Sequence, residues 1–294
     1  MKSAAHFVKV LIVFLVLKNN MQTTKISEKN AVYWDELCGS NIAKVLGVTD
    51  SSIASLKKFD DWYFDYYPYL FDHIPFAEMP NKKVLDIGLG YGTVAQRLAE
   101  SGALYTGLDI AQGPVSMVNH RLSQCHLAGN AVQGSILSPP FDPGTFDYVT
   151  AIGCLHHTGN LQLAIDQCYR LLKPGGRLIF MVYYAYSYRR LLTSPILTLN
   201  YSMKECFGYH GVVGESSKKQ SAAYDASAEG DLAPHTDWIS ARSLKHFCRA
   251  FSSVNATTEN IAQERPFQKR SREDLLKTKW PSIVGLDIYA TATK

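Results

Sequence analysis

The stretch Val84-Leu85-Asp86-Ile87-Gly88-Leu89-Gly90-Tyr91-Gly92-Thr93 combines a carboxylate with three closely spaced glycines. Val84, Leu85 and Ile87 read as a buried strand, and Val94–Glu100 reads as a helix. Gly88, Gly90 and Gly92 let the connecting backbone turn sharply and approach a ligand without Cβ atoms in the way. Such a turn aims backbone N–H groups and a helix N-terminus at the ligand. A dinucleotide fingerprint needs its third glycine at position 93, which is Thr93. The carboxylate of Asp86 would repel a pyrophosphate and suits a ligand carrying an ammonium group.

A second carboxylate, Asp109, ends the next apolar run, about 20 residues past the glycines. An acid there accepts hydrogen bonds from ribose hydroxyls, and on spacing alone it serves NAD equally well. Imidazoles follow at His156 and His157, in Gly153-Cys154-Leu155-His156-His157-Thr158, and at His235, in Ala233-Pro234-His235-Thr236-Asp237-Trp238. Imidazole titrates near neutral pH, so all three are candidate general bases. One of the adjacent pair is expected to pack near the cofactor and the other to face an acceptor. For His235 the reading as an ordinary loop histidine is favoured. Arg189 and Arg190 suit either an anionic acceptor group or a solvated helix face.

The elements that must position these residues alternate. Strands are expected at 104–110, 131–135, 146–152 and 177–184, with helices at 115–127 and 161–172, the last stopped by Lys173-Pro174-Gly175-Gly176. This rhythm predicts an α/β fold with a doubly wound, mostly parallel sheet. Ahead of it lies an aromatic region containing Tyr33, Trp34, Trp62, Tyr63, Tyr66 and Tyr67. Its helix over 51–71, capped by Ser51 or Ser52, is broken by Pro68. Most of its rings are expected to be core packing, with one or two tyrosines lining a site beneath a lid. After strand five a single helix over 187–199 precedes a long polar excursion from Gly208 to Pro234, of the kind that is usually functional or disordered. A helix at 241–251, a strand at 253–261 and an alternating run at 284–293 complete the sheet.

Composition narrows the classes. Hydrophobic residues at 46% and charged residues at 19% describe a globular chain. The net charge of +4 comes from scattered Lys and Arg, which argues against a nucleic-acid groove. Cys38, Cys125, Cys154, Cys168, Cys206 and Cys248 form no Cys-x-x-Cys pair, so neither a zinc site nor a disulfide framework is indicated. Reduced thiols fit a cytoplasmic protein. The run Phe7–Leu17 is apolar apart from Lys9 but too short to span a bilayer, and no small-residue cleavage site follows it. Residues 1–20 are therefore expected to be an upstream extension or a weak interfacial anchor, with weak membrane association or export as the alternative localisation.

Further marks lie at Gly134-Ser135-Ile136-Leu137, at Phe146-Asp147-Tyr148-Val149 and at Leu171-Leu172-Lys173-Pro174-Gly175-Gly176. In order and spacing, residues 80–184 resemble the class I S-adenosylmethionine (SAM)-dependent methyltransferases, in the small-molecule group with Leu-His-His after strand four. That resemblance implies a Rossmann-like, seven-stranded α/β fold, an N-terminal helical lid and an insertion after strand five. It implies an extension at 1–30, the lid at 31–79, a SAM-binding core at 80–184, a substrate-covering insertion at 185–240 and the rest of the sheet at 241–294. Asp86 would hold the methionine ammonium, and Gly88 and Gly90 would pass beneath the cofactor. Asp109 would bind the ribose, Ile110 would pack on adenine, and Ser135 and Ile136 would flank its edge. Ile152 and Gly153 would line the methionine tail. The family often carries an acid where Ser135 stands, and a hydroxyl accepts more weakly. The implied reaction is methyl transfer from SAM to a small-molecule acceptor by in-line displacement, yielding S-adenosylhomocysteine. No metal, nucleic acid or stable membrane insertion is expected. A Rossmann NAD(P)-dependent oxidoreductase and a catalytically silent SAM-fold partner protein are the alternatives.

Overall fold

The computed structural model describes residues 21–214, 224, 225, 227 and 230–294. Seven strands form one sheet: β1 (Lys83–Ile87), β2 (Leu104–Asp109), β3 (Asn130–Gln133), β4 (Phe146–Ile152), β5 (Leu172–Tyr183), β6 (Ser253–Glu259) and β7 (Asp287–Thr293). Their order is β3-β2-β1-β4-β5-β7-β6. The first five are parallel, and β7 runs antiparallel between β5 and β6. The order reverses between β1 and β4, which opens a crevice at the carboxyl ends of the strands.

Among the described residues, the α-helices up to the excursion are α1 (residues 21–33), α2 (Ser40–Val45), α3 (Ile53–Tyr66), α4 (Leu70–His73), α5 (Thr93–Glu100), α6 (Gln112–Gln124), α7 (Leu161–Leu171), α8 (Tyr188–Thr193) and α9 (Pro195–Cys206). Side chains alternate along each strand, so every central strand feeds two cores. Leu85, Val149, Leu178 and Phe180 pack on one face with Leu161, Ile165 and Cys168 of α7 (Leu161–Leu171). Val84, Tyr148 and Ile179 pack on the other with Ala95 and Leu98 of α5 (Thr93–Glu100) and Val115, Val118 and Leu122 of α6 (Gln112–Gln124). Helix α3 (Ile53–Tyr66) starts where the Ser52 side chain accepts from the Ser55 N–H. It ends two residues before Pro68, whose ring cannot sit inside a helix.

Several boundaries differ from the expectations. Residues 1–20 lie outside the described residues. Residues 21–33 are helical and belong to the fold, which corrects the expected extension at 1–30: Asn30 is buried, and its Nδ2 donates to the His157 carbonyl at 2.7 Å. Strand β5 starts at Leu172 and not after the glycines. Leu172 pairs with Phe146 before a register break, and Gly175 and Gly176 exchange backbone hydrogen bonds with Lys294. The helix expected over 187–199 is two, α8 (Tyr188–Thr193) and α9 (Pro195–Cys206). Pro195 disfavours helical backbone at the residue before it, and Ser194 turns out to φ −144°, ψ 53°. Most of the interior of the 208–234 excursion lies outside the described residues.

Candidate active site

The crevice holds a cavity of about 320 Å³. All nine residues expected to hold a cofactor line it: Asp86, Gly88, Gly90, Asp109, Ile110, Ser135, Ile136, Ile152 and Gly153. Asp86 is buried near the end of β1, where its Oδ1 accepts from Thr150 Oγ1 at 2.7 Å. Tyr105 Oη stands 3.5 Å from Oδ2. Burial pushes the Asp86 carboxyl up to about 7, against the pull of these hydroxyls. The carboxylate is thus favoured when a cation lies beside it. Asp109 accepts from the Leu89 N–H at 2.7 Å and the Ala111 N–H at 2.9 Å. Burial raises its carboxyl, and these backbone donors oppose the rise. Each carboxylate oxygen keeps a lone pair for a ribose hydroxyl. The bond to Leu89 also ties the end of β2 to the glycine turn.

The glycines of that turn do different work. Gly88 has φ +76°, and a Cβ there would stand 2.4 Å from Cys154 Cβ. Gly92 has φ +79°, and a Cβ there would stand 2.8 Å from the Arg121 side chain. Both allow close packing within the protein. Gly90 has φ +50° and only Cys38 Cβ within 4 Å, at 3.7 Å, so its bare backbone borders the cavity. Behind the turn, Arg121 grips Asp60 of α3 with two hydrogen bonds, at 2.8 and 3.0 Å. Thr93 Oγ1 donates to the same carboxylate at 2.5 Å. Helix α3 and the start of α5 therefore share one ion pair, in which Arg121 is buried and Asp60 partly exposed.

The structure separates the three histidines. His157 lines the cavity. Its Nδ1 lies 2.7 Å from the carbonyl oxygen of His235. A carbonyl only accepts, so Nδ1 carries the proton, and Nε2 of the neutral ring carries the lone pair. Asp225 Oδ2 lies 3.6 Å from that Nε2. His156 does not line the cavity. It is fully buried beneath Tyr183, ring centroids 4.1 Å apart, and burial holds its basicity well below the usual histidine range. His235 does not line the cavity either; its Nε2 pairs with Asp237 at 3.1 Å, and its backbone carbonyl is what reaches His157. The arginine expectation is also corrected. Arg189 pairs with Glu264 at 2.8 Å and stacks over Tyr224, and Arg190 is fully buried over Trp238. Neither is a solvated face, and among the described residues no Lys or Arg lines the cavity. Asp147 is structural, accepting from the Lys83 N–H and from Lys173 Nζ, each at 2.8 Å.

Six further lining residues are aromatic: Tyr63 comes from α3 and Tyr67 from its C-cap, Trp34 from the N-terminal segment, Tyr183 and Tyr289 from β5 and β7, and Tyr224, with Asp225 beside it, from the excursion. Tyr183 Oη donates to Asp225 Oδ1 at 2.9 Å. The N-terminal segment and the excursion also meet, since Tyr33 Oη donates to the Asp231 carbonyl at 3.2 Å and Asn41 Nδ2 to the Ser227 carbonyl at 3.2 Å. Sequence reasoning pointed to one or two lid tyrosines. Tyr183, Tyr224, Asp225 and Tyr289 carry no spacing signal and were not legible.

Residues 85–180, about a third of the chain, match the family described as "Methyltransferase domain". The most informative relatives are ubiquinone biosynthesis O-methyltransferases. That of Pectobacterium carotovorum subsp. carotovorum is 36% identical over 100 residues, covering 34% of this chain and 42% of the relative. That of Pseudomonas putida is 34% identical over 106 residues, covering 35% and 45%. The chain thus spans less than half the length of the curated relatives it matches. The crystal structure of a putative S-adenosylmethionine-dependent methyltransferase from Listeria monocytogenes shares the fold, with a TM-score of 0.54 at 17% identity, covering 78% of this chain and 97% of that one. The cavity offers a carboxylate that suits an ammonium at Asp86, a bare backbone at Gly90 and an acceptor for hydroxyls at Asp109.

Proposed function

We propose that this chain transfers the methyl group of SAM to a small-molecule acceptor. The observation that carries this reading is the meeting of Asp86, Asp109 and His157 in one cavity that aromatic side chains also line. When bound, SAM supplies a methyl carbon on a sulfonium, already activated for displacement. The protein then has three tasks. Asp86 and Asp109 fix the two ends of the donor. The aromatic wall of Trp34, Tyr63, Tyr67, Tyr183, Tyr224 and Tyr289 excludes water and holds the acceptor in line. His157 Nε2 takes the proton of an acceptor hydroxyl or amine as the new bond to methyl forms, and the adjacent Asp225 carboxylate stabilises the resulting imidazolium.

The lid at 31–79 and the insertion at 185–240 are assigned to acceptor binding on the same ground, since both contribute cavity residues. The test is turnover of SAM to S-adenosylhomocysteine against a panel of phenols, amines and metabolite extracts. Acceptor-dependent product supports the reading. Firm SAM binding without turnover on any acceptor favours the silent partner protein instead.

A further inference from the structure

Helix α9 is turned inside out. Ser194, Thr198, Tyr201 and Glu205 form its buried face, while Ile196, Leu199, Met203 and Phe207 are 82%, 64%, 54% and 89% exposed. The spacing of 196, 199, 203 and 207 places these four on one stripe of α9.

Hydrogen bonds pin this orientation. Glu205 accepts from Ser240 and Ser243 on one oxygen and from Tyr186 Oη on the other. Tyr201 Oη donates to the Gly211 carbonyl at 2.7 Å. Rotating the helix to bury its apolar side would strip these buried groups of their partners. An apolar stripe held outward in this way marks an interaction surface.

The charge around it selects the occupant. Lys204 lies beside Met203 and Phe207. The helix Ala241–Phe247 packs alongside, through Ser240 and Ser243 on Glu205 and His210 stacked on His246. It and the residues just after it expose Arg242, Lys245 and Arg249. Across these two helices the one acidic residue, Glu205, is buried. Apolar side chains flanked by exposed cations match an interface of acyl chains and anionic headgroups. Among the described residues no helix is long and apolar enough to cross a membrane, so the element lies on the surface. We propose that α9 docks this protein on anionic lipid bilayers, with Ile196, Leu199, Met203 and Phe207 entering the headgroup boundary.

Co-sedimentation of the full chain with phosphatidylcholine vesicles, with and without phosphatidylglycerol, tests this. Binding is expected to need phosphatidylglycerol and to weaken with salt. The quadruple variant I196S/L199S/M203S/F207S should lose roughly tenfold or more of its partitioning, and F207S alone roughly fivefold. SAM affinity should be unchanged in both, which separates this outcome from failure of the methyl-transfer reading. Variants that bind vesicles as well as wild type would overturn the proposal and assign any binding to the apolar run at 7–17. A dimeric wild type that the quadruple variant converts to monomer would overturn it in favour of a second copy of this chain.

Discussion

Nδ1 of His157 lies 2.7 Å from the backbone carbonyl oxygen of His235. The contact uses main chain on one side and side chain on the other, so it assigns different roles to two histidines that look alike in sequence. Replacing the His157 ring removes the proton acceptor. Replacing the His235 ring leaves the carbonyl in place. His157→Gln is expected to lower kcat by about 10²- to 10⁴-fold with little change in SAM affinity. His235→Ala should stay within about threefold of wild type. Steady-state kinetics on the two variants check this, and equal losses would remove His157 from its role.

Asp86 sets a pH dependence. Burial pushes its carboxyl up to about 7, and an ammonium needs it ionised. SAM affinity should therefore fall as pH drops below about 7, approaching tenfold per unit. The folded value lies above the unfolded one, so the contribution of this group to the ligand-free fold is fully present below about pH 4 and lost as pH rises through 7. Asp86→Asn should stabilise the ligand-free protein near pH 8 and abolish the rise in Tm on adding SAM. Asp287 is also pushed up to about 7 by burial, so the comparison with Asp86→Asn isolates the Asp86 share. Melting curves across pH, with and without SAM, provide the readout; a SAM-induced shift independent of pH would contradict the assignment.

The ion pair of Asp60 and Arg121 ties α3 to the glycine turn, which Arg121 packs against at Gly92. Arg121 is 1% exposed, so Asp60→Ala leaves a buried cation without its carboxylate. Losses of about 3–5 kcal/mol are typical of such a change. A lower Tm and a higher KM for SAM are expected, with kcat retained at saturation. A variant with wild-type KM would show that the pair serves stability alone.

Gly88 and Gly175 share φ +76° but not their surroundings. Nothing lies within 4 Å of a Cβ added at Gly175, so Gly175→Ala meets only the left-handed strain, about 1–2 kcal/mol. Gly88→Ala adds a contact at 2.4 Å with Cys154. It should cost clearly more stability and weaken SAM binding. Denaturant unfolding of the two variants compares them, and equal losses would show that the turn relaxes freely.

The cofactor half of the site was legible because its determinants are local. Asp86, the glycines and Asp109 sit at strand ends whose order follows from the alternation of elements, and a doubly wound sheet brings those ends together. The acceptor half was not. Trp34, Tyr63, Tyr183, Tyr224 and Tyr289 arrive from separate segments, and a ring bound for a cavity looks like a ring bound for the core. Choosing among His156, His157 and His235 required knowing that one carbonyl points at one Nδ1. The orientation of α9 was hidden for a related reason. Periodicity reveals two faces, but Glu205 faces inward only because Tyr186, Ser240 and Ser243 wait there with hydroxyls.

Calorimetric titration of the full chain with SAM and, separately, with NAD near pH 8 bears most directly on the central claim. The account predicts saturable SAM binding at one site, lost in Asp86→Ala, and no measurable heat with NAD. Tight NAD binding without SAM heat, or SAM affinity unchanged in Asp86→Ala, would contradict it.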